Sequence, residues 1–404
     1  MAGGRLEIDL SAPPEIPAEA MAAAQDLMQG GWLHRYGETL GDASDAALLE
    51  QEFAAMLGAR YCVGVNSCGS AMFLALYGSG VRAGDRVLMN GFPLAPVPGA
   101  IAHLGAEPVI VEVTADLVID LDDLVAKARA SGARHLLLSH MRGHMADMDR
   151  LMALCDGLGV AVIEDCAHTM GARWAGRPSG RFGRAGCFSL QSYKHVNAGE
   201  GGLIVTDDED LAARAVIASG SYMLYGQHRA RPSEDVFARW RDVTPNFSLR
   251  LSNLAAALAR PQLRLLAGRA RIWRDRHARL AARLGAIPGL RLPHRPQQEE
   301  HVQSSIQFAV PGLDAAGFRR FLEGCRARGV YLKWFGADDA EGYTSAPRHW
   351  RHLGAAPSLF RHRREIARLT KELKHAGRPA VAAQAPATPS VQETATGSSV
   401  GLGV

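Results

Sequence analysis

Residues 160–207, VAVIEDCAHTMGARWAGRPSGRFGRAGCFSLQSYKHVNAGEGGLIVTD, form the stretch that decides the fold. Two β-prone apolar runs within it end in polar residues, the first at Asp165 and the second at Ser189. Lys194 follows five residues after Ser189 and precedes a glycine-rich loop. Ligands of parallel α/β sheets bind outside the carboxyl ends of the strands. We therefore predict that these three polar side chains converge on one edge of a sheet.

A lysine amine beside a carboxylate, a serine hydroxyl and glycine-rich loops is what a pyridoxal phosphate site requires. Taken alone, Asp165 is equally typical of a helix cap or turn, and a single lysine is typical of a solvated surface. The chain has only five lysines among its 45 basic Lys and Arg residues, so a lysine at this position stands out. The joint placement of Asp165, Ser189 and Lys194 favours the cofactor site.

The alternation of apolar runs and helical periodicity extends the fold outward from this stretch. Helical patterns separate most of the runs, and the segment SDAALLEQEFAAMLGA, residues 44–59, also has helical periodicity that stops near Gly58. Such alternation predicts an α/β fold with a mostly parallel sheet covered on both faces. The predicted strands are 61–65, 86–89, 108–113, 135–139, 160–165, 186–190 and 202–206.

A second candidate site is the segment VNSCGSAMFLAL, residues 65–76. A predicted strand ends at Val65, a turn of small residues follows, and a helix opens with Gly69 and Ser70. The free N–H groups of a helix start and the Ser70 hydroxyl would bind an anion. An ordinary capped turn fits the segment equally well by itself. The requirement for a phosphate site near Lys194 favours the anion-binding interpretation.

Composition excludes several classes of protein. The 404 residues are 47% hydrophobic and 21% charged, which is typical of a globular chain long enough for a large and a small domain. The net charge of +4 comes without a dense cationic run, so no nucleic-acid partner is expected. No apolar window approaches about 18 residues, and the N-terminus lacks a signal-peptide pattern. We expect no membrane partner and a cytoplasmic location.

No metal site is expected from the spacing of histidines and cysteines. The six cysteines form no C-x-x-C pair, which suits a reducing compartment. His140 and His144 are four residues apart, but Gly143 and the preceding strand argue against a helical metal-binding face.

The predicted domain organisation has five parts. The small domain is expected from a strand, strand, helix, strand pattern, and the tail lacks aromatic residues and is rich in Ala, Pro, Ser and Thr. The parts are a lead-in (1–30), a large cofactor-binding domain (31–250), a connecting helix (251–285), a small α/β domain (286–375) and a disordered tail (376–404).

The motifs EDCAHTMGA, G-x-F-G, FSLQSYK and GEGGLIVTDD together resemble the DegT/StrS-type family of pyridoxal phosphate aminotransferases. The resemblance extends over about 31–266. It implies the aspartate-aminotransferase-like fold, fold type I. It also implies a homodimer with the active site at the subunit interface, an amino donor such as glutamate or glutamine, and a keto-sugar acceptor.

The resemblance also implies a role for each candidate residue. Lys194 would form the Schiff base, Asp165 would hold the pyridine nitrogen, and His168 would lie near the cofactor ring. Ser189 would bind the phosphate together with Gly69 and Ser70.

The sequence departs from the family pattern mainly on the substrate side. The family has an aromatic residue that stacks on the cofactor, and the corresponding segment of this chain is GFPLAPVPG. An ungapped alignment puts Leu94 at the stacking position, whereas an insertion of two residues puts Phe92 there. The family's Asn-x-Arg, which reaches the neighbouring subunit's phosphate, appears with Ser248 at the asparagine position and Arg250 retained. The family's closing segment is not recognisable after Leu359.

These observations predict a pyridoxal phosphate-dependent aminotransferase that moves an amino group from an amino acid to a keto-sugar or cyclitol. Lys194 and Asp165 do not select among reactions of this cofactor, so elimination, cyclisation or decarboxylation on the same fold is the alternative. A non-catalytic cofactor-binding regulator is a weaker alternative, because binding alone needs no proton-transferring lysine.

Overall fold

The structure, a computed structural model, describes residues 12–37, 43–303, 305–335, 350 and 399–402. It divides the chain into two compact units. The larger unit comprises residues 12–275 and 295–303. The smaller unit contains the described parts of 276–294 and 304–404.

Helices and strands alternate along most of the larger unit. Its helices are α1 (Ala18–Gly30), α2 (Asp45–Leu57), α3 (Cys68–Gly78), α4 (Pro96–His103), α5 (Leu121–Ser131), α6 (Met148–Leu158), α7 (Glu209–Val216), α8 (Glu234–Trp240) and the first part of α9 (Asn253–Gly285). Its strands are β1 (Tyr61–Val65), β2 (Arg86–Asn90), β3 (Glu107–Val111), β4 (His135–Ser139), β5 (Ala161–Asp165), β6 (Arg173–Trp174), β7 (Arg177–Pro178), β8 (Ala185–Ser189), β9 (Gly202–Thr206) and β10 (Glu299–Glu300).

The central sheet of the larger unit has the strand order β1-β9-β8-β5-β4-β2-β3. The strands from β3 across to β8 pair in parallel, whereas β9 runs antiparallel to both β8 and β1. Strands β1, β8 and β9 are buried along their whole length, as their continuous apolar sequences require. The predicted mostly parallel α/β sheet is confirmed.

Helices pack against this sheet and bury two apolar clusters beside it. One cluster joins α2 and α9 to the sheet, and in it the rings of Phe53 and Phe188 meet edge to face with centroids 5.0 Å apart. The other joins α5 and α6 to β4 and β5 through residues such as Leu136 and Leu151. The helix starts use short polar caps; for example, Ser44 accepts the Ala47 N–H at 3.2 Å. The sheet edge that carries the polar residues is therefore held by a rigid, buried framework.

The smaller unit contains the rest of α9, helix α10 (Ala315–Ala327) and strands β11 (Ile306–Ala309), β12 (Lys333–Trp334) and β13 (Ser399–Leu402). Phe308 and Phe318 are the buried centre of its apolar cluster. The first strand of the strand, strand, helix, strand pattern expected for the small domain is reduced to an isolated bridge, in which Arg291 and Ala309 exchange backbone hydrogen bonds of 2.9 and 2.8 Å.

Strand β13 differs from the expectation of a disordered tail over 376–404. It pairs antiparallel with both β11 and β12, so it is the central strand of a three-stranded sheet. Its sequence SVGL alternates apolar and small residues with the period of a strand, a local signal that the tail's average composition conceals. Residues 376–398 lie outside the described part of the chain, as does the family's expected closing segment.

The segment 295–303 belongs to the larger unit, although it falls within the range predicted for the small domain. Strand β10 in this segment pairs with β6, and the Gln298 carbonyl accepts the Ala175 N–H at 2.8 Å. Within the described residues, no helix has the length and apolar character needed to cross a membrane.

Candidate active site

The carboxyl ends of β4, β5 and β8 meet at one edge of the sheet, which we call the active-site rim. Asp165 ends β5 and is register partner to Ser139, the last residue of β4. The Asp165 side chain is 5% exposed, and its Oδ2 accepts a hydrogen bond of 2.7 Å from Ser139 Oγ. Its Oδ1 accepts the Ala167 N–H at 3.1 Å. These contacts fix the carboxylate at the rim.

Lys194 and His168 lie together at the rim, with Lys194 Nζ 3.0 Å from His168 Nε2. The Lys194 backbone N–H donates to the Gln191 carbonyl at 2.8 Å, which anchors the loop after β8. Burial, and then the positive charges of Lys194 and Arg142, hold the pKa of His168 well below its usual range. The imidazole is therefore neutral at physiological pH. When Lys194 is an ammonium it can only donate, so Nε2 is then the acceptor.

The turn and first residues of α3, residues 66–70, form the second predicted part of the site, which we call the α3 start. Ser67 caps the helix by accepting the Ser70 N–H at 3.0 Å, and Ser70 Oγ donates to Asn66 Oδ1 at 2.6 Å. Cys68 Sγ lies 3.9 Å from Asp165 Oδ1, so the α3 start is next to the rim. A cavity of about 240 Å³ opens here, lined in part by Gly69 and Ser70.

Gly202 explains how Ser189 and the α3 start come close together. This first residue of β9 is register partner to Ser189 on one side and to Val65 on the other. A Cβ at Gly202 would lie 2.4 Å from the Ser67 carbonyl oxygen, so only glycine allows this approach. Ser189 and the α3 start thus lie on either side of one glycine, near a carboxylate and a lysine. These residues fit pyridoxal phosphate.

The two candidates for stacking on the cofactor, Phe92 and Leu94, lie in the turn after β2. Phe92 is buried in the turn after β2, and Leu94 is half-buried two residues later. Which of the two stacks on the cofactor stays a prediction.

Arg250 bridges Val65 through its backbone, so it lies beside the end of β1. Its guanidinium donates to the Gly220 carbonyl at 3.1 Å and to Ser248 Oγ at 2.6 Å. It also lies over the Tyr222 ring, 5.4 Å from the centroid.

Glu164, next to Asp165, supports the rim from inside the protein. Its Oε1 accepts the N–H groups of Phe182 and Gly183 at 2.8 Å, and its Oε2 accepts the Gly180 N–H at 2.9 Å. His140 Nε2 lies 3.1 Å from the same Oε2. Burial alone would raise the pKa of Glu164, but these hydrogen bonds hold it below its usual value.

Ligand atoms of His140, Glu164 and Cys166 lie within 4.8 Å of one another. The hydrogen bonds to Glu164 account for this arrangement without a metal ion. The backbone N–H groups of the G-x-F-G motif thus bind the buried carboxylate of Glu164.

Sequence analysis missed several residues that the structure brings to the site. Ser139 had a signal, because it is a polar residue ending an apolar strand, but its contact with Asp165 depends on strand order. Arg142 follows β4 in a left-handed conformation (φ 57°) and is 7% exposed. Arginine is neither glycine nor asparagine, so the residue type itself does not indicate a left-handed backbone.

The sheet and rim define a fold-type-I, pyridoxal phosphate-dependent aminotransferase. Residues 14–330 match the sequence profile of the DegT/DnrJ/EryC1/StrS aminotransferase family, and the chain belongs to that family. The predicted family, fold and enzyme class are confirmed.

Individual relatives agree with this assignment. The chain is 30% identical over 284 residues to the spore coat polysaccharide biosynthesis protein SpsC of Bacillus subtilis, covering 69% of this chain and 70% of that protein. The aminotransferase TlmJ from Streptoalloteichus hindustanus has a similar structure, with a TM-score of 0.73, 25% identity and coverage of 88% and 90% of the two chains. The structure of 3-amino-5-hydroxybenzoic acid synthase also has a TM-score of 0.73 and 25% identity, with coverage of 88% and 89%.

Proposed function

We propose that this enzyme transfers an amino group from an amino acid, glutamate or glutamine, to a keto-sugar or keto-cyclitol used in biosynthesis. The observation that carries the proposal is the 3.0 Å contact of Lys194 Nζ with His168 Nε2 beside the fixed carboxylate of Asp165. The similarity to SpsC, whose name refers to polysaccharide biosynthesis, supports a sugar acceptor.

The cofactor in this proposal is pyridoxal phosphate, held within the domain predicted at 31–250. When bound, it supplies an aldehyde that carries the amino group and a ring that accepts electrons. Lys194 would hold the cofactor through its aldehyde, and Asp165 would pair with the pyridine nitrogen. Ser189 and the α3 start, with Gly69 and Ser70, would bind the phosphate. Phe92 or Leu94 would lie against one face of the ring.

Lys194 has a second role once its amine is released. Its Nζ would then act at the substrate carbon, as a general base that accepts a proton and a general acid that gives one back. Because His168 is neutral, it accepts a hydrogen bond from this amine and orients it without adding a second positive charge at the same place. The depressed pKa of His168 thus serves the proton transfer.

Asp165 acts as a fixed negative charge. The hydrogen bonds from Ser139 Oγ and the Ala167 N–H leave its oxygens accepting, which suits an ionised carboxylate. A carboxylate in this position favours the protonated pyridine nitrogen and so strengthens the ring as an electron acceptor.

The active unit in this proposal is a homodimer with the site at the interface. Arg250 lies beside the end of β1, and the neighbouring side chains of Tyr222, Met223 and Leu224 are large, apolar and exposed. Exposed apolar residues in a cluster favour contact with another protein surface. Arg250 would then reach the phosphate of the partner subunit.

Parallel acceptor assays test the proposal. The aminated form of the cofactor is loaded into the enzyme, and its reoxidation is followed with nucleotide-linked keto-sugars, free keto-cyclitols and 2-oxo acids. We expect fast single turnover with a sugar or cyclitol and formation of the matching amine. Reoxidation by 2-oxo acids alone would contradict the sugar acceptor.

The second candidate is elimination, cyclisation or decarboxylation of a small amino acid-like substrate on the same residues. The similarity to a protein named a synthase supports it. Release of ammonia or carbon dioxide from amino acids, without amine transfer to any acceptor in the panel, would favour this candidate over the first.

A further inference from the structure

The ends of three neighbouring strands are joined at the rim by a series of side-chain hydrogen bonds. Asn90 ends β2, Ser139 ends β4 and Asp165 ends β5, and these strands are adjacent in the sheet. Asn90 is 1% exposed, and Ser139 and Asp165 are each 5% exposed. The series ends at the carboxylate that the proposed function pairs with the pyridine nitrogen. Asn90 and Ser139 therefore bear on how that carboxylate is held.

Asn90 acts as a substitute backbone partner for Ser139. The parallel register of β2 with β4 ends at the pair of Met89 and Leu137. Beyond this pair, Asn90 Oδ1 accepts the Ser139 N–H at 2.8 Å, and Asn90 Nδ2 donates to the Ser139 carbonyl at 3.0 Å. Both bonds are buried, so losing either would leave a backbone polar group without a partner. The backbone of Ser139 is thereby fixed at the point where β4 ends.

Ser139 in turn holds one oxygen of Asp165. The two residues are register partners in neighbouring parallel strands, so their side chains lie on the same face of the sheet. Ser139 Oγ donates to Asp165 Oδ2 at 2.7 Å. A hydroxyl that donates to an ionised carboxylate makes one of the stronger hydrogen bonds found in proteins. This bond opposes rotation of the carboxylate about its Cβ–Cγ bond.

The other oxygen of Asp165 has two donors of its own. Oδ1 accepts the Ala167 N–H at 3.1 Å, and Cys68 Sγ lies 3.9 Å from it. Burial and the charge of Asp165 raise the pKa of Cys68 well above its usual value, so the thiol keeps its proton and donates. A carboxylate has about four acceptor positions. Among the contacts of the described residues, the position left is on Oδ2, the oxygen that Ser139 holds.

We propose that Ser139 is a positioning residue, which orients the Asp165 carboxylate so that Oδ2 accepts from the pyridine nitrogen. Without this hydroxyl the carboxylate would keep its charge but would rotate, so the charge would no longer be held at one place beside the ring. A fixed charge is worth more to the reaction than one that must reorient. This inference rests on the proposed function and adds to it a residue that acts through Asp165.

The test compares variants at position 139 that differ in the hydroxyl. Ser139→Thr keeps the hydroxyl, and Ser139→Val has the same shape as the threonine variant but carries a methyl group instead. Ser139→Ala removes the hydroxyl without adding volume, so the test still decides if either larger side chain disturbs β4. The matched control is Thr206→Val, because Thr206 Oγ1 is a buried strand hydroxyl that donates to the Arg184 carbonyl at 2.7 Å. Thr206 lies at the opposite end of β9 from Gly202 and therefore away from the rim.

Cofactor binding is measured by spectroscopic titration of each apoprotein with two probes. One probe is pyridoxal phosphate, and the other is its analogue in which a C–H group replaces the ring nitrogen. We expect Ser139→Val and Ser139→Ala to raise the Kd for pyridoxal phosphate by ~10- to 100-fold, the loss of one charge-assisted hydrogen bond. Their Kd for the analogue should stay within about twofold of wild type, because the analogue has no ring nitrogen for Asp165 to pair with.

The other variants and the selectivity of the effect decide the interpretation. Ser139→Thr should recover the affinity for pyridoxal phosphate, and Thr206→Val should bind both probes as wild type does. Equal weakening of both probes in Ser139→Val and Ser139→Ala would show a general disturbance of the fold and overturn the inference. Unchanged affinity for pyridoxal phosphate in these two variants would overturn it as well.

Half-reaction kinetics with glutamate provide a second readout. The charge of Asp165 matters most while electrons move toward the ring, so Ser139→Val should lower kcat by ~10- to 100-fold and change KM by less than about threefold. A raised KM at unchanged kcat would contradict the positioning role. If wild type transfers no amine, the proposed function fails, while the comparison of the two probes still decides the role of Ser139.

Discussion

Gly202→Ala should separate cofactor binding from folding. The added methyl group would lie 2.4 Å from the Ser67 carbonyl oxygen and 2.7 Å from the Cys68 backbone nitrogen, where 3.4 Å is an ordinary contact. Because both contacts are with backbone, the α3 start must move by about 1 Å. Hydrogen bonds weaken steeply outside their narrow range of distance and angle. A shift of this size removes those that the α3 start offers to the phosphate.

The expected effect on cofactor affinity follows from this displacement. Loss of two charge-assisted hydrogen bonds, at ~1.5 to 3 kcal/mol each, raises the Kd for pyridoxal phosphate by ~10²- to 10⁴-fold. The strain should cost the fold only ~1 to 3 kcal/mol, so the variant remains folded. Spectroscopic titration of the apoprotein with the cofactor measures the first quantity, and urea unfolding of the apoprotein measures the second.

Gly157→Ala is the matched control for this substitution. Gly157 lies within α6, and a Cβ there would meet nothing within 4 Å. Alanine in a helix interior should stabilise the protein by up to about 1 kcal/mol and leave cofactor affinity unchanged. If folded Gly202→Ala bound the cofactor within about threefold of wild type, the α3 start would not hold the phosphate.

Three further substitution experiments address the rest of the site. Asp165→Asn should retain the cofactor and lower kcat by ~10²- to 10³-fold, because its negative charge is lost at the ring nitrogen; near-normal turnover would assign that role elsewhere. For His195, burial and the charge of Lys194 outweigh the hydrogen bond to the Val302 carbonyl and lower the pKa from 6.5 to about 4. The unfolded chain thus binds more protons between these pH values, and acidification from pH 6.5 to 4 should cost up to about 3 kcal/mol of unfolding free energy. In urea titrations, the unfolding free energy of His195→Gln should fall less steeply than that of wild type as the pH is lowered. An equally steep fall would exclude His195 as the source of the pH dependence. Coexpressed Lys194→Ala and Arg250→Ala subunits should regain roughly a quarter of wild-type activity, since half of the dimers would carry one intact site; no recovery after verified subunit exchange would remove the interface proposal.

Local sequence predicted the elements whose stability comes from continuous apolar burial. Strands β1, β4 and β9 have the predicted bounds, because each is a buried apolar run bounded by polar or glycine residues. Strand β10 was not predicted, since two glutamates form a strand only where β6 offers them backbone partners. Strand β13 was missed for a related reason, because its partners are distant in sequence.

The site shows the same division between local and tertiary information. Asp165, Ser189 and Lys194 were predicted as site residues because strand ends and rare lysines are visible in the sequence. The contact of Ser139 with Asp165 depends on which strands are neighbours, and the turn of Arg142 is enforced by the segment 295–303. Interactions of this kind arise only when the chain is folded.

Chemical identification of the lysine that holds the cofactor tests the central claim most directly. The holoenzyme is reduced with borohydride, digested, and the modified peptide is identified by mass spectrometry among the five lysines of the chain. The account predicts modification of Lys194 alone, in the peptide that follows Ser189, and loss of the visible absorption and of modification in Lys194→Ala. Modification of another lysine, or a reducible bond that persists in Lys194→Ala, would contradict it.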